Sequence, residues 1–270
     1  MRAPIRSAVI TGGANGIGRQ MALVLASDGA KIVVADRDEQ AARETARQVI
    51  ARGGEALVVA CDVSDDADVA RLADEAWRWL KRVDLWVNNA GVLVTGELAD
   101  LPLSAYRRVV DVNLWGVIHG CHHAIPRLRS QPDRGHLLNV ASLAGTIPLP
   151  FMGAYNATKA AVIALSETLH AELAAEGIGV TVLCPSFTQT GFVDASTGTA
   201  TSSLMAKARR IMHHLGDCPR AVAELGLDAV RRDRLYAMAT HHGRLAWRAK
   251  RLSPMGLTRA MGLAHRLARW

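Results

Sequence analysis

Aromatic side chains make up only 4% of the 270 residues, and tyrosine occurs three times, at Tyr106, Tyr155 and Tyr236. A phenol at any of these positions is therefore more informative than usual. The four cysteines, Cys61, Cys121, Cys184 and Cys218, are widely spaced, form no CxxC pair and fall mostly in apolar runs; this excludes a disulfide scaffold and reads as reduced core thiols. No apolar run reaches the length of a membrane span, and MRAPIRSAVITGG enters a strand too early for a signal peptide, so a cytoplasmic chain is expected. Acid is missing from residues 241–270, where Arg244, Arg248, Lys250, Arg251, Arg259, Arg266 and Arg269 stand. The net charge of +7 thus belongs to a basic tail on a near-neutral body. With only Trp247 and Trp270 among those cations, nucleic-acid binding is not expected. Six of the ten histidines form adjacent pairs, at 122–123, 213–214 and 241–242, whose members point to different faces without an acid or cysteine at zinc spacing. No metal is expected.

Half of the residues are apolar, enough for a sizeable core. Short β-branched runs, SAVIT (7–11), KIVVA (31–35), EALVVAC (55–61), DLWVN (84–88), HLLNVA (136–141), VTVLC (180–184) and a weaker RLYAMA (234–239), alternate with helix-period stretches near 17–28, 38–52, 66–81, 103–130 and 152–176. Such alternation implies an α/β fold, a doubly wound parallel sheet covered on both faces. Asp38, Ser64, Ser104 and Gly153 stand at or near the expected helix starts. No repeat or linker interrupts the pattern, which predicts one domain: a core to residue 190, a lid and last strand over 191–240, and the basic helical tail over 241–270.

TGGANGIG (11–18) follows the first strand and opens the first helix. Gly12, Gly16 and Gly18, with Asn15 and Ile17 between them, allow backbone to approach a pyrophosphate, and the helix N-terminus faces its charge. Asp36, at the end of the second strand, suits the two adenosine ribose hydroxyls and repels a 2′-phosphate, which favours NAD. Arg37 beside it keeps NADP as the alternative.

With CDV (61–63), NNAG (88–91), DVNLWG (111–116), NVAS (139–142), YNATK (155–159) and CPSFTQT (184–190) in this order, the chain resembles the short-chain dehydrogenases/reductases over about residues 5–190. The resemblance implies a Rossmann-like fold of about seven parallel strands, a homodimer or homotetramer, and an NAD(P)-dependent oxidoreductase. It places Asp62 and Val63 near the adenine, Asn89, Ala90 and Gly91 on the cofactor floor, and Pro185 with Thr190 near the nicotinamide amide. It places Asn113, Ser142, Tyr155 and Lys159 as the catalytic tetrad. Ser186 stands where the family commonly has glycine, and Thr188, also on the cofactor side, replaces a usual aliphatic.

These residue types suit alcohol oxidation. A free phenol titrates near ~10, and making it a base near neutrality requires about 4 kcal/mol of preferential phenolate stabilisation. Lys159, one helical turn from Tyr155, and an oxidised nicotinamide would both lower the phenol. Lys159 would also reach the nicotinamide ribose, Ser142 the substrate oxygen, and Asn113 would hold a helix distortion and a water leading to Lys159. The competing class is a dinucleotide-binding scaffold on the same fold. Leu143, Leu149, Phe151, Met152, Phe187 and Phe192 predict an apolar pocket for a bulky alcohol or ketone, and the C-terminal sequence looks like that of steroid- and retinol-type members. From Ser253 and Pro254 onward a helix is expected with Leu257, Ala260, Met261, Ala264, Leu267 and Ala268 on one face. It rests either on anionic lipid, a peripheral membrane contact, or on the body or a partner subunit with its arginines in solvent.

Overall fold

A computed structural model describes residues 4–189, 192, 197–199, 216–239 and 241–268. Its main sheet has seven parallel strands in the order β3-β2-β1-β4-β6-β7-β9. These are β1 (Ser7–Thr11), β2 (Lys31–Asp36), β3 (Glu55–Ala60), β4 (Leu85–Asn88), β6 (His136–Val140), β7 (Gly179–Cys184) and β9 (Tyr236–Met238). Alternate side chains along each strand enter opposite cores. Val9, Val33, Leu137 and Val182 pack beneath α3 (Asp66–Leu80), α5 (Gly116–Ser130) and α6 (Gly153–Leu173). Ile10, Ile32, Val34, Leu138 and Leu183 meet α1 (Gly16–Ala26), α2 (Glu39–Ala51) and α7 (Pro219–Arg231). Each fully buried aliphatic side chain contributes ~1.5–3 kcal/mol. This is the doubly wound Rossmann-like arrangement expected from the run of β-branched segments.

The helical stretch 103–130 carries its distortion at Asn113: α4 (Leu103–Val110) passes through a π-turn (Asp111–Trp115), where Gly116 N–H reaches back to the Asp111 carbonyl, before α5 begins. Ser64 stands just before α3, where Asp65 caps the helix by accepting from Ala67 N–H and Ser64 bonds Asp62. One expectation needs correction. Cys61, Cys121 and Cys184 are buried free thiols, but Cys218 is exposed, because it ends a loop before the proline that starts α7.

Two further strands escape pattern reading. β5 (Val94–Thr95) and β8 (Thr197–Gly198) pair in parallel, through Val94 with Thr197 and Thr95 with Gly198. Two residues cannot display a period. The chain closes with α8 (His241–Leu252) and α9 (Pro254–Ala268). Among the described residues no helix is long and apolar enough to cross a membrane.

Candidate active site

The sheet order reverses beside β1, whose neighbours are β2 and β4, so the loops leaving β1 and β4 diverge and open a crevice at the strands' carboxyl ends. Sequence reading missed the clamp that holds this crevice. Thr11 Oγ1 accepts from the backbone N–H groups of Asn89 and Ala90, at 3.0 and 3.2 Å, and donates to the Val87 carbonyl. The Asn89 side-chain amide in turn donates to the carbonyls of Thr11 and Gly12, each at 2.9 Å. Gly12 adopts φ +62, and a Cβ on Gly18 would lie 2.4 Å from the Gly12 carbonyl oxygen and 2.5 Å from Asn89 Nδ2. Glycine at both positions is therefore a steric requirement of the turn itself.

Helix α1 starts at Gly16 with Asn15 as a cap that makes no side-chain cap bond and with no acid in its first turn, leaving Gly16, Ile17 and Gly18 as the start of an anion-ready helix end. Asp36 accepts from Ala14 N–H and from Asp38 N–H, both at 3.0 Å, so the carboxylate braces the glycine turn and keeps lone pairs for further donors. Arg19, not singled out in the sequence, reaches back from α1 to the Ala14 carbonyl and Asn15 Oδ1, each at 2.8 Å. Its signal was only a guanidinium one turn into the helix, at arm's length from the loop. Arg37 is exposed. Burial raises Asp62, but its two bonds from Ser64, backed by the charges of Arg108 and Arg37, hold the carboxyl below its usual range beside buried Val63.

The four residues expected to do chemistry come from three elements: Asn113 from the π-turn, Ser142 from the end of β6, and Tyr155 with Lys159 from α6. Asn113 sits fully buried in the π-turn, where its Oδ1 accepts from Val92 N–H at 2.8 Å and its Nδ2 donates to the Val92 carbonyl at 2.9 Å. Those two bonds fix the chain just past Gly91, where a Cβ would lie 3.3 Å from Asn113 Oδ1 and 3.7 Å from Lys159 Nζ. Ser142 follows β6 in extended backbone, accepts from Ala144 N–H at 3.1 Å and lies near enough to the Tyr155 hydroxyl to lower its pKa. Lys159 Nζ lies 5.6 Å from the Tyr155 ring centre. Among the described residues its single acceptor is the Val140 carbonyl, at 2.8 Å. A buried ammonium with one of three donors used suits the ribose hydroxyls of a nicotinamide nucleotide, and with the acid-free helix end the residues present fit that group.

Helix α6 is held at the right height by a buried relay also missed in the sequence. Trp86 Nε1 donates to Asn88 Oδ1, Asn88 Nδ2 to Asn139 Oδ1, and Asn139 Nδ2 to Ser166 Oγ, at 2.8, 2.8 and 3.0 Å. The relay joins β4, β6 and α6. Before α6, Phe151 takes φ +64, and its carbonyl accepts from Gly96 N–H at 2.9 Å. Over Tyr155 lie Met152, Leu93, Ala144 and Phe192, the last with ring centres 5.8 Å apart. Of the other pocket residues expected, Phe187 is largely exposed. Ser186 bonds Asp217 Oδ2 at 2.9 Å and Thr188 is buried beside Pro185, so Asp217 pins the segment where glycine is usual. Thr190 lies outside the described residues. His123 meets Asp66 at 2.8 Å, and among the described residues no group of three metal-competent side chains forms.

The protonation states differ from the sequence expectation. Burial pushes the Tyr155 phenol up to about 12, against the lowering effect of Ser142, rather than down. Burial draws Lys159 down to about 8. Both are desolvation effects on a water-poor site, opposed by too little opposite charge. Cys184, also raised to about 12 by burial, is close enough for its charge to couple to Lys159. A lysine lowered on folding destabilises the chain while it is protonated in both states, and the penalty disappears as pH rises from the folded value of about 8 to the ordinary 10.5. The unfolding free energy of the native chain should therefore gain on that of Lys159→Met by ~1 kcal/mol per pH unit across this window. Urea unfolding of both proteins at several pH values checks this, and a constant difference contradicts it.

Comparison with known proteins agrees with this geometry. Residues 6–200 match the family described as short chain dehydrogenase, and the chain belongs to that family of oxidoreductases. It is 41% identical over 189 residues to the probable oxidoreductase EphD of Mycobacterium tuberculosis, covering 70% of this chain but 32% of that protein. To the 3beta-hydroxysteroid dehydrogenase 1 of Eggerthella lenta it is 36% identical over 206 residues, 74% of this chain and 79% of the other. The crystal structure of a short chain dehydrogenase/reductase from Burkholderia phymatum in complex with NAD superposes with a TM-score of 0.84 at 36% identity, covering 92% of this chain and 94% of that one.

Proposed function

We propose that this chain transfers hydride between a nicotinamide cofactor, NAD in preference to NADP, and a bulky apolar secondary alcohol or ketone. The observation that carries this reading is the convergence of Tyr155, Ser142 and Lys159 beneath an apolar roof of Met152, Leu93, Ala144 and Phe192. The steroid-dehydrogenase name of the Eggerthella lenta relative supports the substrate class. The cofactor groove is assigned to Gly12, Asn15 to Gly18, Asp36, Asp62, Val63, Asn89 to Gly91, Lys159, Pro185, Thr188 and Thr190. Residues up to 190 carry the chemistry, in a homodimer or homotetramer; of the lid expected over 191–240, residues 193–196 and 200–215 lie outside the described residues.

When bound, an oxidised nicotinamide supplies the hydride acceptor and a positive charge. Tyr155 takes the substrate hydroxyl proton on its phenolate oxygen. Ser142 donates to the substrate oxygen where negative charge develops. Lys159 holds the ribose and places its ammonium beside the phenol, while Asn113 fixes the chain at Val92 and thereby the floor beneath Lys159. Moving the phenol from about 12 to neutrality takes ~7 kcal/mol, which Lys159 and the incoming charge must share in a site that excludes water. In ketone reduction the same proton returns from Tyr155.

Fluorescence of the reduced cofactor reports binding, and its absorbance reports turnover with steroid, terpenoid and aliphatic secondary alcohols. Turnover with at least one bulky apolar alcohol is expected. Cofactor binding without turnover across the panel overturns the enzyme reading in favour of a dinucleotide-binding scaffold. Asp36→Ala should weaken NAD about tenfold, as expected for losing charged hydrogen bonds to the ribose, and improve NADP. Tighter binding of NADP than NAD by the native chain contradicts the assignment.

A further inference from the structure

The described residues end in a pair of consecutive helices that the site does not use. Helix α8 is anchored by Trp247, half-buried, whose ring centre lies 5.6 Å from that of Tyr236 on β9. Helix α9 follows α8 across Ser253, whose N–H bonds back to the Ala249 carbonyl. Both helices of this pair expose arginines and apolar side chains together. Along α8, Arg244, Leu245, Arg248, Arg251 and Leu252 are exposed; at spacings of three, four, seven and eight they form one stripe. Along α9, Met255, Arg259, Leu263 and Arg266 form a second exposed stripe at spacings of four, four and three. Leu245, Leu252, Met255 and Leu263 are 68%, 88%, 61% and 55% exposed, so their apolar ends find little cover among the described residues. The face expected from sequence shared none of these except its helix: Met261 is half-buried, and Leu257, Ala260, Ala264, Leu267 and Ala268 have side chains outside the described set.

The charge is one-sided. Residues 241–270 hold no Asp or Glu. None of Arg244, Arg248, Arg251, Arg259 and Arg266 forms an ion pair among the described residues, although Arg251 stacks 4.7 Å from the Trp247 ring centre. Helices α2 and α7 look different. In α2 and α7 the exposed arginines are each paired to an acid one turn away, as in Arg43 with Glu39 and Arg220 with Glu224.

We propose that the α8–α9 pair is a lipid-docking surface that seats the enzyme on an anionic membrane. Leucine and methionine ends would enter the acyl boundary while the interleaved guanidiniums remain at headgroup level with lipid phosphates. Charge complementarity selects this occupant over a second copy of the chain. An isologous contact through this pair of helices would oppose the same unpaired arginines to themselves with no acid to offset them. A partition surface of this kind also suits a site roofed by apolar side chains, because its substrates would concentrate in the same lipid.

The test is co-sedimentation of the full chain with sucrose-loaded vesicles, either phosphatidylcholine alone or phosphatidylcholine with about a third phosphatidylserine. Binding to the anionic vesicles and not the neutral ones is expected, weakening as salt shortens the reach of the field. Replacing Leu252, Met255 and Leu263 by Ser, or Arg244, Arg248, Arg259 and Arg266 by Gln, should each lower the partition coefficient about tenfold or more. Cofactor binding and oligomeric state should remain as in the native chain. Leu252→Ser alone, at the most exposed of these positions, keeps the test open if the triple variant does not fold. Absence of sedimentation with anionic vesicles, or sedimentation equal in native chain and variants, overturns the proposal. So does a drop in oligomeric state in the Ser variant, which would make the two helices a contact between copies.

Discussion

Tyr155→Phe should lower turnover by ~10³-fold while leaving affinity for the reduced cofactor almost unchanged. The substitution removes one oxygen, the proposed acceptor of the substrate proton, and keeps the ring that packs on Phe192, Met152 and Leu93. Its structural cost is the contact with Ser142, ~1 kcal/mol of stability. The expected signature is thus a loss confined to the chemical step: unchanged fluorescence titration, near-native urea midpoint, vanishing absorbance change. A residual rate within about tenfold of the native chain would show that the phenol only packs.

Gly18→Ala should act at the other end of the site and in the opposite sense, removing binding. The added methyl would lie 2.4 Å from the Gly12 carbonyl oxygen and 2.5 Å from the Asn89 amide, which itself holds the carbonyls of Thr11 and Gly12. Neither neighbour is a flexible chain end, so the β1–α1 turn must move away from the crevice. Cofactor affinity should fall about 100-fold, equivalent to ~2.7 kcal/mol, with ~1–3 kcal/mol lost in stability. Titration of the reduced cofactor reads the first and denaturation the second. Native affinity in this variant would mean that the turn has room the packing denies it.

These two effects mark what the sequence displayed clearly. The seven main strands and helices α1, α2 and α3 lie within about two residues of the β-branched and helix-period runs, because each buries a whole face and therefore repeats a period, whereas α7 was given no range in the sequence. The glycine turn was equally visible, since few residues other than glycine tolerate φ +62 at Gly12 or the contact at Gly18. The proposed tetrad was visible only as a pattern of motifs. Its geometry was not, because Asn113, Ser142 and Tyr155 are brought together by tertiary packing. The π-turn around Asn113 gave no local signal, as it inserts one residue into an otherwise continuous apolar period. The Asn88–Asn139–Ser166 relay was hidden for a similar reason, each member being an ordinary polar residue until its partner is known. Tyr155 shows the limit most clearly. Its lysine neighbour is written in the sequence at a spacing of four, but its burial is not, and burial moves the phenol to about 12 before any charge arrives.

The catalytic reading depends on hydride passing from a substrate carbon to the cofactor. A panel of bulky secondary alcohols deuterated at the carbinol carbon, incubated with the protein and NAD, tests this directly by mass spectrometry of the nicotinamide product. Transfer of deuterium to the reduced cofactor, abolished in Tyr155→Phe, is the result expected. Cofactor that binds and remains free of deuterium with every alcohol would contradict it.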